Sequence, residues 1–450
     1  MKSIAAALAV LLSSACQSVA PVPSAGEEAI AGADPSPAAV GDRQAGEVRI
    51  DRAHIDQVLR GFVDDGRAVG VSALVYAHGR EAYFGAFGMA DREAGRAMAR
   101  DTLAQVYSMT KPVTGVVLMT LYEEGRFRLD DPLSKYLPEF AGVRVYAGQD
   151  ADGAPRYEAP RRPVLVRDIL RHTSGFAADA DDTPVGRMVA KADLYDGRRT
   201  LAQLSETVAG LPLLFQPGTQ WRYGPSVDVQ ARLAERLAGK PYAQLVRERV
   251  LEPLRMRDTA YLVPPASRGR MSAMYAYEHG RFERMPDAEA FERNFNAWAL
   301  TPGGMGLVSS LDDYMRFARM LAGGGALDGV RILKPETVRL MATDALPPGI
   351  AERAWLPSKG RVGFGIDFAV RVAPPADADE ASGAVGEFFW DGYANTLFWV
   401  DPANDIAAVL FTQYVPPGGT DLHKRFRDAV YVHDPRASSA RRRPPAGGVR

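Results

Sequence analysis

Hydrophobic residues recur at helix and strand spacings from about residue 47 onward. An apolar face at helical spacing between Ile55 and Phe62 predicts a first helix. Two β-rich runs on either side of His78–Gly79, "GVSALVYA" and "REAYFGAFG", predict a hairpin. Near the other end of the chain, "GFGIDFAVRV", "GEFFWDGYANTLFWVDP" and "DIAAVLFTQYV" are apolar runs that predict further strands.

The middle of the chain has mainly a helical pattern, from "VRDILRHTSGF" to about residue 256. After it, "GGMGLVSSLDDYMRFARMLAGGG" predicts a glycine-rich turn that leads into an amphipathic helix. Because strands come first and last, we expect one sheet built from both chain ends. A helical subdomain, about residues 132–300, is then inserted into a folded body of residues 47–432.

The first 16 residues have the pattern of an export signal. Lys2 precedes a short apolar run and the small residues of "SSACQS", and the run is too short to span a membrane as a mature helix. Cys16 is the only cysteine in the chain, and its place after small residues predicts lipid attachment. The alternative is that the export signal is cleaved after "SVA" and Cys16 is not lipidated. We therefore expect an exported, periplasmic protein that is anchored to the envelope membrane through Cys16.

Two segments lack periodicity. Residues 17–46 are rich in Pro, Ala and Gly and predict a disordered linker, and residues 433–450 predict a disordered basic tail. Apart from that tail, charge is balanced: the chain of 450 residues has 54 basic and 55 acidic side chains. This composition gives no electrostatic reason to expect a nucleic-acid partner.

Several kinds of chemistry are disfavoured by the absence of their motifs. The sequence has no Gly-x-Ser-x-Gly, which is typical of α/β-hydrolases. It has no His-Glu-x-x-His and no Gly-x-Gly-x-x-Gly after a strand. We therefore expect neither a metal nor another cofactor.

The stretch "YSMTK" places Ser108 and Lys111 three residues apart. Pro112 is tolerated only in the first turn of a helix, which puts the pair at a helix start with both side chains on one side. Free backbone N–H groups there favour an anion on a bound carbonyl oxygen. A desolvated lysine can accept the proton of the serine. Alone, the motif also fits a helix cap followed by a surface lysine.

Two distant segments supply matching groups. Tyr223 follows a Pro-Gly turn in "PGTQWRYGPSVDV", where a phenol facing a cleft can carry a proton between nucleophile and leaving group. In "FFWDGYANTLFW", Gly392 allows close approach of a substrate to the strand. The N–H after this glycine then completes an oxyanion hole with the N–H of Ser108. A structural tyrosine and an ordinary core strand are the alternatives.

Taken together, five segments resemble the serine β-lactamase-like superfamily: "YSMTK", "VRDILRHTSGF", "PGTQWRY", "GGMGLVSSLDDYMRFARML" and "FFWDGYANTLFWVDP". The pattern is most similar to family VIII carboxylesterases, which are related to class C β-lactamases and DD-peptidases. The resemblance covers roughly residues 47–430. It implies an α/β sandwich, with an antiparallel sheet flanked by helices and an inserted all-helical subdomain.

The same resemblance implies roles for individual residues. Ser108 corresponds to the acylated nucleophile, Lys111 to its general base and Tyr223 to a second proton carrier. Trp390–Gly392 corresponds to the third motif of the superfamily, and Tyr393 to the oxyanion residue that acts through its backbone. His172 belongs to a structural turn.

Departures from the β-lactamase pattern bear on the substrate. Pro225 stands where β-lactamases have an asparagine, so a substrate amide loses a partner. Trp390 stands where they have a lysine, and Asp391 adds an anion beside it, which disfavours a carboxylate ligand. We therefore predict a serine hydrolase of small neutral carboxylic esters.

Two other functions fit the same fold. The first is a β-lactamase or a peptidoglycan DD-peptidase that uses the same serine as its nucleophile. The second is a catalytically inactive binding or envelope protein on the same fold. The sequence leaves the physiological ester and the oligomeric state open.

Overall fold

A computed structural model describes residues 48–353, 356 and 358–431. The predicted signal, linker and basic tail, and with them Cys16, lie outside the described residues. Within these ranges no helix has the length and apolar character needed to cross a membrane.

The strands of the described residues follow in chain order: β1 (Gly70–Ala77), β2 (Arg80–Asp91), β3 (Arg96–Ala97), β4 (Ala104–Gln105), β5 (Val145–Gln149), β6 (Pro155–Glu158), β7 (Tyr275–Glu278), β8 (Arg281–Arg284), β9 (Val308–Ser309), β10 (Ala326–Leu327), β11 (Val330–Arg331), β12 (Val362–Phe364), β13 (Ala369–Arg371), β14 (Phe388–Asp391), β15 (Leu397–Asp401), β16 (Ile406–Phe411) and β17 (Tyr414–Val415).

The helices of the same residues are α1 (Arg52–Asp64), α2 (Thr110–Glu123), α3 (Val166–Leu170), α4 (Pro184–Ala192), α5 (Leu201–Gly210), α6 (Ser226–Ala238), α7 (Tyr242–Val246), α8 (Asp287–Ala290), α9 (Glu292–Phe295), α10 (Leu311–Ala322), α11 (Pro335–Met341) and α12 (Leu422–Val430).

An eight-stranded sheet is built from both chain ends. Its strand order is β12-β13-β14-β15-β16-β1-β2-β3, and neighbouring strands are antiparallel. The two ends meet where β1 pairs with β16, with Ser72 opposite Phe411. This arrangement confirms the predicted fold class.

Helices cover both faces of the sheet. On β15, Phe398 packs against Tyr314 of α10, with ring centroids 5.2 Å apart. The next residue, Trp399, packs against Phe426 of α12, with ring centroids 5.4 Å apart. Successive side chains of a strand point to opposite faces, so α10 and α12 lie on opposite sides. Burial on both faces explains why these strands are almost continuously apolar.

The inserted segment is mainly helical and packs on the body through α6 and α2. It also contains two short antiparallel pairs, β5–β6 and β7–β8, which the sequence pattern did not predict. The β7–β8 turn has His279 at φ 51° and Gly280 at φ 78°, the same dipeptide as in the β1–β2 turn. This His-Gly signal was therefore present in the sequence, but its flanking strands are short and partly exposed.

Candidate active site

Ser108 lies in a 3-10 turn, Tyr107–Met109, that runs directly into α2. Contacts with the glycine-rich segment before α10, and with α10 itself, hold this turn in place. β4 pairs with β9, the Val106 N–H donates to the Leu307 carbonyl (3.0 Å), and the Tyr314 hydroxyl donates to the Met109 carbonyl (2.7 Å). Tyr107 has φ 43°, a left-handed conformation that a non-glycine residue keeps only where its surroundings impose it.

The hydroxyl of Ser108 accepts two hydrogen bonds. The Tyr223 hydroxyl donates to its Oγ at 2.8 Å, and the Lys111 Nζ donates to the same atom at 3.2 Å. Ser108 itself is only partly buried. The structure therefore brings together the three residues that the sequence proposed for nucleophile, base and second proton carrier.

Lys111 is buried in α2, with 5% of its surface exposed. Its Nζ also donates to the Gly304 carbonyl at 2.7 Å and lies 4.5 Å from the centroid of the Tyr223 ring. These contacts hold the amine on the side of Ser108, which excludes the surface lysine of the alternative interpretation.

Tyr223 is positioned by the turn "RHTSGF". The N–H of the preceding residue, Arg222, donates to the His172 carbonyl at 2.9 Å, and the Gly218 N–H donates to the Thr173 carbonyl at 2.8 Å. The turn itself is held by the buried carboxylate of Asp168, which accepts hydrogen bonds from the Thr173 hydroxyl and from nearby arginines. This network holds the "RHTSGF" turn next to Tyr223, although the two segments are far apart in the sequence.

His172 is fully buried beside the site. Its ring centroid lies 5.0 Å from that of Tyr223, and neither ring nitrogen has a hydrogen-bond partner within the described residues. Burial, followed by the charge of Lys111, lowers the pKa of His172 to about 3. The imidazole is thus a neutral packing group under Tyr223 near neutral pH.

The third motif divides between two faces of β14. Trp390 packs against Tyr223 and Phe364, with ring centroids 5.5 Å apart in both pairs. Asp391 is the next residue along the strand and points to the opposite face. There its Oδ2 lies 3.8 Å from the Nδ1 of His423. The anion that the sequence placed beside Trp390 is therefore directed away from the aromatic wall of the site.

A buried lysine lies behind Asp391. Burial lowers the pKa of Lys359 to about 8, and the nearby Asp391 opposes this shift. Burial likewise raises the pKa of Asp391, and the charge of Lys359 opposes that shift. The Nζ of Lys359 lies 3.5 Å from the Nδ1 of His423, whose Nε2 is 2.9 Å from the Asn395 carbonyl oxygen.

Gly392 is required by the protein's own backbone. A Cβ at this position would lie 2.5 Å from the Val106 carbonyl oxygen and 2.2 Å from the Thr396 hydroxyl. The sequence had assigned this space to a substrate. The close neighbour is instead the segment that leads into the Ser108 turn.

Two backbone donors are available at this junction. The N–H groups of Ser108 and Tyr393 have no acceptor in the part of the chain that the structure describes. Their turns adjoin, since the rings of Tyr107 and Tyr393 have centroids 5.9 Å apart. An oxyanion hole requires two donors, and these N–H groups are the pair that the sequence predicted for it.

Five residues with polar groups near the site were not predicted from the sequence: Asp228, Tyr195, Gly304, Lys359 and His423. Asp228 could have been noticed in the sequence, because it is an acidic residue among the buried, mainly apolar residues of α6. Lys359 and His423 could not, since no neighbouring sequence pattern links either residue to Asp391.

Comparisons with known proteins identify a family and several relatives. The family model described as Beta-lactamase matches residues 55–432. Protein Rv1367c of Mycobacterium tuberculosis is 34% identical over 370 residues, covering 81% of this chain and 90% of that protein. Esterase EstB of Burkholderia gladioli is 30% identical over 408 residues, covering 84% of this chain and 95% of that protein.

A solved structure is similar as well. EstCE1, described as a hydrolase with promiscuous acyltransferase activity, matches with a TM-score of 0.70 at 28% sequence identity. The match covers 84% of this chain and 98% of EstCE1.

Proposed function

The chain belongs to the Beta-lactamase family and is a serine hydrolase of that superfamily, and on this premise we propose that it cleaves small neutral carboxylic esters through an acyl-enzyme on Ser108. One observation carries the proposal: the half-buried Ser108 Oγ accepts hydrogen bonds from both Lys111 and Tyr223. Esterase EstB, named above as a relative, supports the ester class.

The reaction follows from this geometry in two halves. In the first, Ser108 Oγ bonds to the ester carbonyl carbon while Lys111, as the neutral amine, accepts the hydroxyl proton. The N–H groups of Ser108 and Tyr393 stabilise the oxyanion. The C–O bond to the alcohol then breaks, Tyr223 donates a proton to the departing alcohol oxygen, and Tyr223 recovers a proton from Lys111, which becomes the neutral amine again. In the second half, water attacks the acyl group by the same route and releases the acid.

The substrate preference rests on the wall beside Tyr223. Trp390 presents an aromatic face where a lysine would hold a substrate carboxylate, and Pro225 offers no side-chain partner for a substrate amide. Asp391 points to the other face of β14, so Trp390, and not this carboxylate, borders Tyr223. The preference for neutral esters therefore follows mainly from missing attraction.

A substrate panel tests the function. We expect turnover of short-chain p-nitrophenyl esters, and weak or no turnover of nitrocefin and of peptides ending in D-Ala-D-Ala. Initial rates measured on one enzyme preparation provide the comparison. Lactam or peptide turnover that matches ester turnover would favour the β-lactamase or DD-peptidase alternative. Failure of a fluorophosphonate probe to label Ser108 would favour the inactive binding protein.

Tyr223→Phe is expected to reduce kcat for esters by roughly 10²- to 10⁴-fold, because the variant keeps the ring but loses the hydroxyl that reaches Ser108. The loss should be smallest for p-nitrophenyl esters, whose leaving group needs little help from an acid. Rates for a p-nitrophenyl ester and an alkyl ester of the same acid provide the measurement. Tyr242→Phe, which alters another buried tyrosine hydroxyl, serves as the control. Equal rates in Tyr223→Phe and wild type would remove Tyr223 from the mechanism.

We also propose that the hydrolase works in the bacterial envelope, anchored through Cys16. The support is the sequence pattern of residues 1–16.

A further inference from the structure

Asp228 lies behind Lys111 and is joined to it through Gly304. It belongs to the first turn of α6 and is 1% exposed. Its Oδ1 accepts the Gly304 N–H at 2.9 Å, and its Oδ2 accepts the Tyr195 hydroxyl at 2.9 Å. The carbonyl of the same Gly304 accepts from Lys111 Nζ at 2.7 Å. The carboxylate and the amine are thus tied to the two backbone polar groups of one residue.

The space at Gly304 shows how closely the two groups lie. A Cβ built on this glycine would be 3.3 Å from both carboxylate oxygens of Asp228 and 3.3 Å from Lys111 Nζ. Because both groups border the same small volume, the negative charge of Asp228 is a near neighbour of the amine and is shielded from solvent. An anion in such a position favours the ammonium form over the neutral amine.

Other titratable groups in surrounding elements interact electrostatically with the pair. Around Lys111 these are Tyr223, His172, Asp367 and Asp391; around Asp228 they are Tyr195, Tyr242, Tyr261 and Arg293.

Asp367 differs from Asp228 in its hydrogen bonds. Asp367 Oδ1 accepts a hydrogen bond from the Gln230 side chain, and its Oδ2 has no partner within the described residues. Burial raises the pKa of Asp367 well above its ordinary value, which favours the neutral acid. Burial raises the pKa of Asp228 as well, but hydrogen bonds from Gly304 and Tyr195 and the charge of Lys111 oppose the shift. Asp228 is therefore the better placed of the two to supply a negative charge.

We propose that Asp228 is a positioning residue: through Gly304 it holds the Nζ of Lys111 against Ser108, and its charge keeps Lys111 protonated between turnovers. This inference rests on the proposed function of Ser108 and Lys111. Since Lys111 must be neutral to accept the serine proton, Asp228 sets the lower pH limit at which the nucleophile is activated.

Asp228→Asn removes the charge and keeps the hydrogen bond to Gly304, because an asparagine oxygen still accepts the Gly304 N–H; its NH2 group no longer accepts from the Tyr195 hydroxyl but can donate to the Tyr195 oxygen. The rate at which a fluorophosphonate probe labels Ser108 is measured on the folded full-length chain across roughly pH 5 to 9. We expect the acidic limb of this profile to move to lower pH by about one unit, because the neutral amine forms more easily once the anion is gone.

Two further variants make the test specific. Asp313→Asn removes another buried carboxyl, on α10, whose pKa burial raises to about 6; it should leave the limb in place. Gly304→Ala keeps the charge of Asp228 but crowds the link to Lys111. It should slow labelling roughly tenfold or more without moving the limb.

The outcomes are distinct. An unmoved limb in Asp228→Asn would overturn the role of the charge, and a wild-type rate in Gly304→Ala would overturn the positioning link, even if Asp228→Asn failed to fold. A wild-type protein whose Ser108 is not labelled at any pH would contradict the proposed function itself. Labelling with equal shifts in Asp228→Asn and Asp313→Asn would show a general effect of buried carboxyls and would also overturn the proposal.

Discussion

Ser108→Ala is expected to abolish ester hydrolysis, with kcat reduced by roughly 10⁴-fold or more. The variant removes the oxygen on which Lys111 and Tyr223 converge and leaves the backbone N–H groups in place. Wild type should release p-nitrophenol in a burst equal to the enzyme concentration, followed by slower steady turnover, because an acyl-enzyme accumulates. Rapid mixing with a short-chain p-nitrophenyl ester shows whether the burst is lost with the hydroxyl.

A second serine offers a matched control. Ser310 caps α10, and its hydroxyl accepts the Asp313 N–H away from Ser108. Ser310→Ala should cost about 0.5–2 kcal/mol of stability through loss of the cap and should keep the burst. A full burst in Ser108→Ala would show that the nucleophile is another group.

Lys111→Met is expected to have the next largest effect, a loss in kcat of roughly 10³-fold. Methionine fills a similar volume but cannot accept the serine proton. Stability should change little: replacing a buried cation with an apolar side chain is often neutral or favourable, whereas losing the donor to the Gly304 carbonyl costs about 1–3 kcal/mol. Steady-state rates and thermal unfolding on the same samples separate the two effects.

Lys359→Met is the corresponding control, because Lys359 is equally buried but lies on the Asp391 side of β14. It should retain most of the ester turnover. Comparable losses in the two lysine variants would mean that Lys111 acts only through general charge or packing, which contradicts its role as the base.

Local chemistry is the part of the site that the sequence predicts well. Ser108 and Lys111 are three residues apart, and Pro112 restricts them to a helix start, so their proximity needs no tertiary information. Tyr223 is different. Its approach to Ser108 depends on hydrogen bonds that the neighbouring backbone N–H groups donate to the turn at His172. Only the resemblance to a known family linked that turn to the segment of Tyr223.

Side-chain direction was the part that the sequence left open. The alternation of a strand implies that Trp390 and Asp391 point to opposite faces, but it does not say which face borders Ser108. Packing decides this: the aromatic ring lies on Tyr223, and the carboxylate lies near His423. Gly392 shows the same limitation, since a glycine signals close approach without identifying the approaching group.

Links through the backbone are harder still. The hydrogen bonds that connect Asp228 to Lys111 run through the two polar groups of Gly304, whose position depends on how α6 packs beside α2. The His-Gly turn of the β7–β8 hairpin was visible in the sequence, but the alternating runs on either side of it were too short to predict strands.

The pairing of β1 with β16 also has a consequence for how the protein is made. Ser108 leaves the ribosome early, whereas Tyr393 and the strand that carries it belong to the last part of the chain. A nascent or truncated polypeptide that ends before β14 therefore contains a nucleophile without the second backbone donor or the aromatic wall. Under the proposed function, such a fragment is expected to lack hydrolase activity.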